Sequence, residues 1–118
     1  MAKKKPAPSV TPSAASPPPP PQVFEATLGA DGAIVKGNAI TQLQAETLRK
    51  NGQDVVVCGP NLAANRRFAQ AIERNANGSA KRCPPHKNAG RRALPHYQPD
   101  PRPPAGHTFY ETPNRKAI

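Results

Sequence analysis

The chain has 118 residues, with 17 Lys and Arg against seven Asp and Glu, no tryptophan, three Phe and two Tyr. That leaves room for one small domain with a modest core of Val, Ile, Leu and Ala, only marginally stable alone. A formal charge of +10 sets up a field that draws polyanions such as RNA, DNA or anionic lipid.

No apolar run reaches the length of a membrane span. Met1 is followed by AKKK and then by Pro, Ser and Ala, without an apolar stretch or a cleavage site, so a secretory signal peptide is not expected. The two cysteines, Cys58 and Cys83, allow a disulfide without requiring one.

Met1 to Gln22 holds eight prolines, ending in the unbroken run Pro17 to Pro21. Such composition cannot bury enough apolar surface to offset chain entropy. It predicts a disordered, polyproline-rich tether over residues 1–22, or alternatively a ligand for a proline-recognising domain. Residues 23–118 then form the folded part, a small single α+β domain in which two helices pack on a short, partly irregular sheet.

Within it, Val23 to Lys36 reads as a hairpin turning at Gly29-Ala30-Asp31-Gly32. Ala39 to Lys50 reads as a helix capped by Asn38, with Ile40, Leu43, Thr47 and Leu48 inward, Glu46 four residues before Lys50, and Asn51-Gly52 as the stop. Asp54 to Cys58 is β-branched and bounded by Gly59-Pro60, the pattern of a strand buried on both faces. Asn61 caps a second helix over Leu62 to Asn75, with Leu62, Ala64, Phe68, Ala71 and Ile72 inward and Arg66, Arg67, Glu73 and Arg74 outward.

Beyond Gly78 regularity fades. Two short strands are expected, one around His96-Tyr97, irregular or at an edge because of Pro95, and one over His107 to Glu111. Pro113 to Ile118 is expected to be a frayed tail.

The cationic end is also the histidine-bearing end. From Ser79 onward the basic residues are Lys81, Arg82, Lys87, Arg91, Arg92, Arg102, Arg115 and Lys116, against Asp100 and Glu111. All three histidines lie here, at His86, His96 and His107. If the strands carrying His96 and His107 are neighbours joined by Gln98 to Gly106, the imidazoles approach each other. Two imidazoles and a cation supply what metal-independent RNA cleavage needs: a base for the 2′-hydroxyl, an acid for the leaving 5′-oxygen and charge for the phosphate. His96, His107, Tyr110 and Glu111 are the catalytic candidates, with Lys87, Arg91, Arg92, Tyr97 and Arg102 for substrate.

A bland alternative makes each histidine a hydrogen-bonded loop residue. A zinc site is another: Cys83-Pro-Pro-His86 has ligand spacing, and His96 and His107 would complete the shell, but only one close pair of ligands is present. No cofactor is expected otherwise. The Gly59-Pro60-Asn61 junction lacks the several glycines of a phosphate loop and reads as an ordinary strand-to-helix turn, with Cys58 a buried small hydrophobe.

The run Asp54-Val-Val-Val-Cys-Gly-Pro-Asn61, an Ala- and Arg-rich helix, Leu94-Pro-His-Tyr97 and Gly106-His-Thr-Phe-Tyr110 together resemble the C-terminal toxin tips of bacterial polymorphic toxin systems, of the Rhs and contact-dependent type, across Gln53 to Lys116. Gln98 stands where a further histidine is common in that pattern. The resemblance implies a nuclease acting on RNA or DNA in the cytoplasm of a competing cell, exported by a specialised secretion system and held in check by an acidic immunity protein. It places His96, Tyr97, His107 and Tyr110 at the site. The alternative from charge alone is a non-enzymatic basic protein that binds nucleic acid or serves a structural role.

Overall fold

The computed structural model describes residues 20–85, 90 and 92–118. The expected tether, apart from its last residues, lies outside them. The fold is α+β: two helices on a six-stranded mixed sheet of order β2-β1-β3-β6-β5-β4.

Strands β1 (Gln22–Leu28) and β2 (Ile34–Ile40) form the antiparallel hairpin, and β1 begins at Gln22, inside the expected tether. The turn between them places Asp31 and Gly32 at φ 57° and 74°, a left-handed pair that an Asp-Gly sequence tolerates well. A register shift between Phe24 and Ala26 lets Glu25 accept a hydrogen bond from the Asn38 N–H at 3.2 Å.

Asn38 is therefore a strand residue. The cap of helix α1 (Gln42–Lys50) is Thr41, whose hydroxyl accepts from Gln44 N–H while the Gln44 side chain accepts from Thr41 N–H, a reciprocal pairing that satisfies two orphan donors. The face of α1 also differs from expectation: Ala45 and Arg49 are fully buried, whereas Leu43 is 72% exposed. Glu46 accepts from Gln42 and from Asn75, tying the helices together rather than pairing with Lys50.

Strand β3 (Val55–Cys58) is central, pairing antiparallel with β1 and parallel with β6 (Thr108–Tyr110). Its three valines are wholly buried. Val55 and Val57 join Val23, Ala45, Ala69, Ile72, Tyr97 and Tyr110 beneath the helices, while Val56 joins Ile34, Leu94, Phe109 and Ala117 on the other face. Burial of each such side chain stabilises by roughly 1.5–3 kcal/mol before entropy is counted.

Helix α2 (Leu62–Asn77) is capped by the Asn61 side chain and ends at Gly78, whose φ of 83° suits a residue without Cβ. It buries Asn65 and Glu73 as well as Ala69 and Ile72. Glu73, expected outward, instead accepts from Arg49 Nε at 2.8 Å and from the Thr108 hydroxyl at 2.9 Å. Arg49 Nη1 donates in turn to the carbonyls of Gln53 and Ala105. This network pins the loop leading into β6.

Strand β4 (Lys81–Cys83) is an unanticipated edge strand, and β5 (His96–Gln98) lies between it and β6. Pro95 precedes β5 rather than interrupting it, and its carbonyl accepts from Tyr110 N–H at 3.1 Å. The C-terminal tail is docked, not frayed: Ala117 is buried, Ile118 N–H donates to Ile34, and Lys36 N–H donates to Ile118.

Candidate active site at the histidine pair

Antiparallel pairing of β5 with β6 sets His96 opposite Phe109, so both project to the same face of the sheet, and strand alternation puts His107 there too. The two imidazole centroids are 4.6 Å apart with planes at 75°, and Phe109 lies 5.5 Å from His96 and 5.0 Å from His107. The expected convergence of the two rings is present. Their exposure differs: His96 is fully buried, and the side chain of His107 is 22% exposed.

His107 is held by Asp54. One carboxylate oxygen accepts from the His107 backbone N–H at 2.8 Å and lies 3.1 Å from its Nδ1, while Val55 N–H donates to the His107 carbonyl. A carboxylate on Nδ1 fixes the orientation of the ring. Gly106 makes the approach possible. At φ 91°, a Cβ there would stand 2.5 Å from Arg49 Nη1 and 2.7 Å from the Gly52 carbonyl oxygen.

Asp54 was not singled out from the sequence. It reads there as the first residue of a hydrophobic strand, and only the parallel register Val55 to Thr108 brings it opposite His107. A carboxylate at the mouth of an otherwise all-valine strand was the available signal.

His107 and Phe109 line a pocket of about 280 Å³ together with Leu28, Gly29, Ile34 and Leu94. Of the cationic candidates, Arg102 donates to the Gln98 side chain and to the Gly106 carbonyl, each at 3.1 Å, which places it beside His107. Arg92 is exposed, next to the pocket-lining Ala93, with its N–H on the Asp31 carbonyl. Lys87, Arg91 and His86 lie outside the described residues.

The remaining candidates are not gathered with the histidines. Tyr97 and Tyr110 point to the opposite, helix-covered face, buried, with ring centroids 5.6 Å apart. The Tyr97 phenol is pushed upward by burial first and by Tyr110 second, with Arg82, Arg66 and Arg74 pulling the other way. Glu111 shares the histidine face by alternation but stands four residues from His107, roughly 13 Å along an extended chain. It is buried under the tail and accepts from Ala117 N–H at 2.9 Å.

Cys83 pairs with His96 across β4 and β5, yet among the described residues no cluster of three or more His, Cys, Asp or Glu could hold a metal ion. Cys58 and Cys83 are both free thiols. No helix among the described residues is long and apolar enough to cross a membrane.

Comparison of the chain with protein-family models, with characterised proteins and with solved structures returns no match.

Proposed function

We propose that this domain is a toxin-like ribonuclease that cleaves RNA without metal and is neutralised by an acidic immunity protein. The observation that carries the reading is the contact of the His96 and His107 rings, with Asp54 on the Nδ1 side of His107.

In this scheme Nε2 of His107 takes the proton of the 2′-hydroxyl, whose oxygen attacks the adjacent phosphorus and leaves a 2′,3′-cyclic phosphate. Arg102, with the exposed Arg92 as a second cation, offsets charge on the phosphoryl oxygens. His96 is fully buried and acts by positioning the His107 ring, so the leaving 5′-oxygen is protonated by solvent instead. An acidic partner follows from the charge, since covering a cationic surface requires complementary potential.

The burial of His96 also favours a second reading, a non-enzymatic nucleic-acid-binding protein in which the edge-to-face rings are structural. Turnover separates the two. The test is inducible expression of the full chain in bacteria with RNA and DNA integrity followed over time, and incubation of the purified chain with RNA in EDTA. The expected result is RNA loss with cyclic phosphate ends. His107→Ala and Asp54→Asn are expected to lower the rate by about 10²-fold or more, within the range of general-base contributions, with RNA affinity unchanged. Equal loss of affinity and rate in well-folded variants, or no turnover in the parent, selects the binding protein; inhibition by EDTA selects metal-dependent chemistry.

A further inference from the structure

A second concave feature lies beside α2, on the sheet face opposite the histidine pair. It is a pocket of about 480 Å³ into which Arg66 of α2, Arg82 of β4 and Arg115 of the C-terminal turn project, with the Tyr110 ring and Pro84 and Pro95 as apolar walls. Its volume falls in the range typical of small-ligand sites. No Asp or Glu lines it. Among the described residues neither Arg66 nor Arg82 pairs with a carboxylate, and the buried Nε of Arg66 has no hydrogen-bond partner there.

Arg66 and Arg82, without a carboxylate partner among the described residues, bring two guanidinium charges to one cavity, an arrangement that an anion relieves. Arg82 sits opposite Tyr97 in the β4–β5 register, and it lines the same cavity as Arg66. Arg115 is anchored by Nη1 on the Ala93 carbonyl at 2.7 Å, which fixes its charge at the rim. The planar donor fork of arginine matches the oxygens of a phosphate better than an ammonium does. Pro84, exposed at the pocket wall, offers an apolar surface to a heteroaromatic ring.

We infer that this pocket binds a nucleoside monophosphate, with Arg66 and Arg82 as direct phosphate ligands, Arg115 as supporting charge and the base against Pro84. The site is separate from the histidine pair, so its fate does not depend on whether RNA is cleaved.

The test is an NMR titration of the full chain with adenosine monophosphate, adenosine and inorganic phosphate. Adenosine monophosphate is expected to shift the backbone resonances of Arg66, Arg82 and Asn114, and inorganic phosphate to compete with it. Adenosine is expected to bind at least about tenfold more weakly, the loss of charge-assisted contacts. Arg66→Gln and Arg82→Gln should each weaken the nucleotide by about tenfold, whereas Arg67→Gln, an exposed arginine outside the pocket, and His107→Ala should leave it unchanged. Two pocket variants on different elements guard against misfolding of one. The inference is overturned by absence of shifts at these residues, by adenosine binding as well as its monophosphate, or by Arg67→Gln costing as much as Arg66→Gln.

Discussion

Cys58 shows how a chemically suggestive residue is silenced by its surroundings. Burial, and then the neighbouring Glu111 carboxylate, push its thiol up to about 12 from an ordinary value of 9.0. At pH 8 the thiolate is then on the order of one part in 10⁴, which removes it as a nucleophile. Brief alkylation with iodoacetamide at pH 8, read by peptide mass mapping, is expected to modify Cys83 and spare Cys58 in the native chain, and to modify both in urea. Because the folded value lies above the unfolded one, the native state holds its proton more tightly. The contribution of Cys58 to stability is complete below about pH 9 and lost as pH rises from about 9 toward 12. The Asp54–His107 contact marks the limit of what residue spacing could reveal. Both histidines were legible because His96 adjoins Tyr97 and His107 opens the short run to Tyr110, but the Asp54 carboxylate is 53 residues from His107 in the chain and meets it only through a parallel strand pairing.

Among the elements, the two helices are joined by a buried ion pair, not by hydrophobic contact alone. Arg49 and Glu73 are both 0% exposed, and Glu73 also takes hydrogen bonds from Thr108 and Asn77. Replacing only Glu73 leaves a guanidinium in the interior without its charge. Glu73→Leu is therefore expected to destabilise by about 3–5 kcal/mol, while Arg49→Met combined with Glu73→Leu recovers most of that loss. Urea denaturation of the single and double variants measures it, and a double variant no better than the single would show that the pair itself holds the helices. The α2 cap, the hairpin turn and the valine strand were readable because local chemistry dictates them, whereas Asn38 is part of β2 and leaves the α1 cap to Thr41. The inward Arg49 and Glu73 were not, because periodicity arguments send charged residues to water unless a partner on another element is known. Strand β4 was hidden for a related reason: Lys-Arg-Cys carries no alternation, and pairing with β5 is what makes it a strand.

At the scale of the whole molecule, cationic side chains of the described residues reach both pockets and the sheet edge. Arg102 stands beside His107, Arg66 and Arg115 line the second pocket, and the exposed Lys81 and Arg82 sit on the β4 edge. A single-stranded polyanion lying along that edge meets Lys81 and Arg82, both exposed there. If it touches about five phosphates, log K should fall against log salt with a slope of roughly −3.5, or about a hundredfold between 50 and 200 mM. Fluorescence anisotropy with a labelled single-stranded RNA, using the His107→Ala chain so that nothing is cleaved, gives this slope directly. Lys81→Gln with Arg82→Gln is then expected to bring the slope closer to zero by about 1.4, two phosphate contacts' worth. The same pair of changes placed at Arg67 and Lys50, both exposed but away from the β4 edge, lowers the net charge equally and should leave the slope nearly unchanged. Equal effects from the two pairs would mean that RNA responds to total charge, with no path along the edge strand.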